Sequence, residues 1–67
     1  MTDKADKRAE AMRRAAENRE RAASYESLSE EAQRKGDSEM SIEFARKAAE
    51  EAIEASRIEA VIDELGE

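Results

Sequence analysis

Apolar residues in the first half of the chain recur at helical spacing along two separate tracks. The first track consists of Ala5, Ala9, Met12, Ala16 and Ala23. The second track, roughly 100° further around the helix, consists of Ala11, Ala15, Ala22, Tyr25 and Ala32. A helix that packs against one partner needs only one apolar stripe, whereas a helix inside a bundle has two neighbours. The pattern therefore predicts a helix that contacts two others.

The second half of the chain repeats this organisation with larger side chains. One track consists of Ser41, Ala45, Ala48, Ala52 and Ala55, with Phe44 beside it. The other track consists of Ile42, Ala49, Ile53, Ser56 and Ala60. Close to the C-terminus, the apolar positions gain bulk and keep helical spacing at Ile58, Val61, Ile62 and Leu65. A second helix with two neighbours is predicted.

A Gly-Asp pair separates the two halves. Gly36 is suited to the positive φ that ends many helices, and Asp37 or Ser38 is suited to cap the helix that follows. Because the pair is so short, the helices must reverse direction there. We predict an all-α fold, a long antiparallel helical hairpin with helices over about residues 3–35 and 38–65.

Two further predictions concern the continuity of the first helix and the residues that face each other across the hairpin. Three serines in residues 24–29 fit a break, but we expect one unbroken helix that begins at Thr2 or Asp3. A turn centred on Gly36 places residues whose numbers sum to about 73 opposite each other. The expected pairs are Met12 with Val61, Ala15 with Ile58, and Phe44 with Leu28 or Ser29.

The size of the chain favours self-association. Its 67 residues form one domain at most. A core this small rarely contributes more than about 3–5 kcal/mol to stability unless a disulfide, a bound metal or oligomerisation adds to it. The sequence contains no Cys for a disulfide, and it lacks the Cys and His that usual zinc or di-iron sites need. We therefore predict that two hairpins form a homodimeric four-helix bundle. The predicted oligomer seam consists of Ala9, Met12, Ala16, Ala45, Ala48 and Ala52.

The composition and motifs of the chain favour a folded, cytoplasmic protein that is not an enzyme. Charged residues make up 45% of the chain, which also fits disorder, but the periodic apolar positions favour folded helices. No stretch resembles a membrane span or a signal-peptide core, so a cytoplasmic protein is expected. No nucleophile–base pair and no Gly-rich phosphate loop are visible. We expect neither an enzyme nor a cofactor, metal or small-molecule substrate.

Charge is distributed unevenly between the two halves. Residues 1–35 contain nine basic and eight acidic side chains, whereas residues 36–67 contain three basic and ten acidic ones. Within the first helix, Lys7, Arg14 and Arg21 are seven residues apart and share one face. This stripe is interleaved with glutamates and fits a solvated face. Its alternative role is phosphate binding, and in length and architecture the chain resembles Rop-like RNA-binding regulators.

Residues Tyr25, Leu28, Ser29, Ala32, Gly36, Asp37, Ser41, Ala45 and Ala48 fall near the packing positions of a known repeat. In this segment, residues 25–48, the chain resembles a single tetratricopeptide-type helical hairpin. The resemblance covers about a third of the chain. It implies binding to proteins rather than chemistry.

The expected function is that of a small non-enzymatic interaction or regulatory module, adaptor-like or antitoxin-like, which acts as a homodimer and binds another protein. The alternatives are a Rop-like nucleic-acid-binding regulator and a structural spacer. The C-terminal cluster Ile58, Val61, Ile62 and Leu65 either closes the bundle against Met12 and Ala15 or forms a partner-binding surface. Asn18, on the second track, either fixes helix register or points to solvent.

Overall fold

The fold is a helical hairpin. A computed structural model of the chain describes residues 3–66; Met1, Thr2 and Glu67, and with them the predicted cap at Thr2, lie outside this range. Two helices, α1 (Asp3–Arg34) and α2 (Ser38–Gly66), pack against each other along their length. The hairpin measures 52 × 15 × 11 Å. The predicted all-α hairpin is confirmed, and α1 continues without a break through residues 24–29.

The turn between the helices is formed as predicted around Gly36. This residue has a φ of 81°, a conformation that glycine adopts without the strain a Cβ would cause. Its N–H donates to the Gln33 carbonyl at 3.1 Å, and the Asp37 N–H donates to the Ala32 carbonyl at 2.9 Å. These two bonds define a Schellman C-cap. Asp37 then caps α2, because its Oδ1 accepts a hydrogen bond from the Met40 N–H at 3.1 Å.

The core of the hairpin is built mostly from alanine. Its buried hydrophobic residues are Ala15, Ala22, Ala32, Ala48, Ala55 and Ile58. Such small side chains allow the helix axes to approach closely. Each of them removes little apolar area from water, so the hydrophobic stabilisation of one hairpin is small.

In each helix, one predicted track contains the buried residues and the other faces solvent, although Ala45 on the buried track of α2 is itself exposed. We call them the inner and outer tracks. In α1 the inner track is the one containing Ala15, and the exposed outer track contains Met12. In α2 the inner track is the one containing Ala55, and the exposed outer track contains Ile53. A single hairpin therefore uses only half of the apolar pattern.

The observed pairing differs in part from the expected one. Phe44 lies beside Leu28 as predicted, but its ring stacks on Tyr25, with centroids 6.2 Å apart. The expected contact of Met12 with Val61 is wrong: Val61 lies beside Ala11, and Met12 belongs to the outer track. Facing positions on a helix recur only every three or four residues, so a pairing based on numbering alone misses the correct face.

Candidate interaction surfaces

The two outer tracks lie on the same side of the hairpin and form one outer face. A groove between the helices on this side is bordered by Glu30 of α1 and Ala49 of α2. Met12 and Glu30 are separated by five full helical turns and project in the same direction. A shallow depression that contains Ile53 and Ala60 continues this side of α2. We define the outer face by Ala9, Met12, Ala16, Ala23, Ile42, Ala49, Ile53 and Ala60.

Large aliphatic side chains are exposed on this outer face. Ile42 is 62% exposed, Ile53 is 52% exposed and Met12 is 53% exposed. Single exposed apolar residues are common on protein surfaces, but an exposed apolar face rimmed by polar residues is typical of an interface, and Glu26 and Glu30 line the groove on this side. The outer face is therefore the first candidate interaction surface.

The predicted oligomer seam is only partly on this face. Ala9, Met12 and Ala16 are exposed on the outer track of α1. Ala45 is exposed beside the groove, and Ala52 is half-buried. Ala48 is buried inside the hairpin and has little surface left for a second molecule. In one hairpin, Ala48 therefore belongs to the contact between α1 and α2, and the oligomer seam stays a prediction.

A second candidate surface lies at the open end of the hairpin, where α1 begins and α2 ends. This open-end groove is lined by Lys7, Glu10, Ala11, Arg14, Val61 and Leu65. It brings together cations of the basic stripe and apolar residues of the C-terminal cluster, which are far apart in the sequence. The cluster itself is divided, since Ile58 is buried, Ile62 and Leu65 are half-buried, and Val61 is 47% exposed.

The cations at this groove are available to a ligand. Within residues 3–66, the salt bridges involve other basic residues, and neither Lys7 nor Arg14 belongs to one. The third member of the basic stripe is different. Arg21 donates from Nε to Glu51 Oε1 at 2.9 Å across the hairpin. The predicted stripe is thus reduced to two free cations.

Asn18 shares the acceptor of Arg21. The Asn18 side chain is buried, with 7% of its surface exposed, and its Nδ2 donates to the same Glu51 Oε1 at 3.0 Å. One carboxylate oxygen therefore accepts two hydrogen bonds from α1. Of the two roles considered for Asn18, the solvent-pointing one is wrong. The residue instead makes a polar contact between the helices within an alanine track.

A second cross-helix ion pair lies near the open end. Arg19 donates to both Glu59 oxygens, from Nη2 at 2.8 Å and from Nε at 3.2 Å. The hydrogen bond from Arg19 holds the pKa of the Glu59 carboxyl below its ordinary value. Sequence reasoning missed Glu51 and Glu59 as acceptors. For Glu51 the available signal was the pairing rule, since the numbers of Arg21 and Glu51 sum to nearly the expected value. The numbers of Arg19 and Glu59 do not, so the rule gives no signal for Glu59.

Within residues 3–66, no group of His, Cys, Asp and Glu side chains is arranged to hold a metal ion. Neither of the described helices combines the length and the apolar character needed to cross a membrane. No family model matches the sequence, and no curated protein or solved structure is significantly similar to the chain. The two surfaces described above therefore carry the functional argument.

Proposed function

We propose that this protein is a non-enzymatic helical interaction module, adaptor-like or antitoxin-like, that acts as a homodimer. The observation that supports the proposal is the exposure of Ile42, Ile53 and Met12 along one face of a hairpin whose own core is mostly alanine. The occupant we assign to this face is a second copy of the chain. Two outer faces in contact form a four-helix bundle.

The charge of the two helices favours one arrangement of that bundle. The second half of the chain carries ten acidic and three basic residues, and the first half is nearly balanced. Contact between two α2 helices would bring like charges together. We therefore propose that α1 of each hairpin lies on α2 of the other, with the two α2 helices diagonal. Such an interface is isologous, as in most homodimers.

Light scattering coupled to size-exclusion chromatography tests the homodimer directly. The expected mass is twice that of one chain, and it should fall towards one chain on dilution. Ile53→Glu places a charge in the proposed interface and is expected to give a monomer. Ser24→Glu adds the same charge at an exposed position outside the outer face and should leave the dimer intact. A wild-type monomer at all concentrations contradicts the proposal.

The alternative function, a Rop-like nucleic-acid regulator, receives less support from the geometry. Phosphate binding needs a run of free cations, and Arg21 is already bonded to Glu51. Glu10 lies with the two remaining cations at the open-end groove. A phosphate backbone following this path would meet a carboxylate as well as Lys7 and Arg14.

A further inference from the structure

The open-end groove has both an apolar floor and a pair of cations. Val61 and Leu65 of α2 lie on one side, and Lys7 and Arg14 of α1 lie on the other. Val61 remains 47% exposed in a protein that buries few large side chains. The combination of exposed apolar surface and unpaired charge is typical of a site for an amphipathic ligand.

We propose that this groove binds an acidic amphipathic helix of a partner protein. The proposal rests on the proposed function as an interaction module and names the chemistry of its partner. The carboxylates of the bound helix pair with Lys7 and Arg14, neither of which has a salt bridge within residues 3–66. Its apolar residues cover Val61 and Leu65.

The spacing of the two cations defines the partner more closely. Lys7 and Arg14 are two helical turns apart, about 10.5 Å along the axis of α1. A partner helix that lies along the groove therefore needs two acidic residues seven positions apart. Its apolar residues belong at the third and fourth positions after the first acidic residue, because these face the same side. The predicted motif is acidic-x-x-apolar-apolar-x-x-acidic.

Glu10 makes the groove selective for a peptide over a polyanion. It lines the same groove as the two cations, so a uniformly charged phosphate backbone would be repelled between them. A helix whose two carboxylates are seven residues apart places neither of them next to Glu10. Its apolar residues cover Val61 and Leu65, which a phosphate backbone would leave exposed to water.

The groove and the outer face can be occupied together. Arg14 and Ala16 are two residues apart in α1, so their side chains project about 200° apart. Arg14 lines the groove, whereas Ala16 belongs to the outer face. Partner binding is therefore expected to leave the homodimer intact.

The test uses the full chain and a fluorescein-labelled synthetic peptide with the predicted motif, Glu and Leu being the acidic and apolar residues. Saturable binding at micromolar concentration is expected by fluorescence anisotropy, with weaker binding at high salt because the charges are screened. A matched peptide with Lys in place of each Glu should not bind. Absence of saturable binding by the Glu peptide, or equal binding by both peptides, overturns the proposal.

Variants locate the binding site. Arg14→Glu is expected to weaken peptide binding about tenfold or more, because it replaces an attraction with a repulsion. Arg13→Glu makes the same charge change on the neighbouring residue, which lies outside the groove, and should change affinity by less than about twofold. Thermal melts establish that both variants are folded. Equal weakening by the two variants would show only a general charge effect and would contradict the groove as the site.

Two further measurements separate other occupants from the proposed one. An RNA hairpin that binds in an Arg14-dependent manner, while the peptide does not, identifies a phosphate site and overturns the proposal. Light scattering with and without peptide shows whether a second copy occupies the groove. A dimer that dissociates as the peptide binds would mean that the second copy, and not a partner helix, is the occupant of the groove. A wild-type monomer that still binds peptide contradicts only the homodimer, and a dimer that binds none contradicts only the groove.

Discussion

Removing the Glu51 carboxylate should destabilise the protein more through Asn18 than through Arg21. Asn18 is buried and donates to Glu51 at 3.0 Å. Glu51→Ala leaves the Asn18 amide without this acceptor, and an unsatisfied buried polar group costs about 1–3 kcal/mol. Arg21 loses the same acceptor, but its side chain is 52% exposed and can be solvated by water. Exposed ion pairs contribute only about 0–1 kcal/mol.

The effect of Asn18→Ala alone should be much smaller. The lost hydrogen bond costs about 0.5–1.5 kcal/mol, and the higher helix propensity of alanine offsets up to about 0.7 kcal/mol of that. Alanine also continues the inner track on which position 18 lies. With Ala at position 18, Glu51→Ala removes only the pair with Arg21, so its cost should fall to about 1 kcal/mol or less.

A double-mutant cycle measures this difference. The free energy of unfolding of wild type, both single variants and the double variant is determined by urea denaturation at one fixed protein concentration, because association changes apparent stability. We expect a coupling energy between Asn18 and Glu51 of about 1–2 kcal/mol. Glu51→Gln keeps an acceptor oxygen and should be milder than Glu51→Ala. A coupling energy near zero would refute the role assigned to Asn18.

Three further predictions test the turn, the inner contact and the ion pair near the open end. Gly36→Val should lower stability by roughly 1 kcal/mol or more through backbone strain alone, since no atom lies within 4 Å of a Cβ there; an unchanged melting temperature would contradict this. Ala55→Leu should cost about 1–3 kcal/mol by overpacking, whereas Ser24→Leu, at an exposed position outside the outer face, should cost less in denaturation experiments. The pKa of Glu59 is lowered by the hydrogen bond from Arg19, so this pair stabilises the fold above the ordinary carboxyl pKa and is lost as pH falls through the lowered value; in an NMR titration, Arg19→Gln should raise the Glu59 pKa, and no rise would contradict the pairing.

The sequence predicts the elements of this fold well because their signals are local. Gly36 and Asp37 place the turn through their own backbone preferences, and the apolar spacing defines both helices. The two tracks on each helix are also visible in the sequence. Which track faces the partner helix is not a local property, since both tracks of α1 consist largely of alanine.

The choice of inner track depends on pairs that are distant in the chain. Tyr25 stacks on Phe44, and Ser29 Oγ donates to the Ser41 carbonyl at 2.8 Å. Each pair joins a residue on the α2-facing side of α1 to a residue on the α1-facing side of α2. Such complementarity is recognised only after the register is known, so the sequence did not show that Ala48 is buried within the hairpin. The open-end groove was missed for the same reason, because its residues come from opposite ends of the chain.

The sizes of the side chains on the two tracks of α2 link the fold to the proposed assembly. Ala55 is fully buried against α1, whereas Ile42 and Ile53 are 62% and 52% exposed. Complete burial of an isoleucine side chain contributes about 1.5–3 kcal/mol, so a lone hairpin leaves much of its available hydrophobic stabilisation unused. Small residues suit a short distance between helix axes, and larger residues suit a distance nearer the upper end of the usual range of about 8–10 Å. The two tracks thus fit two different contacts: a close one within each hairpin and a wider one between hairpins.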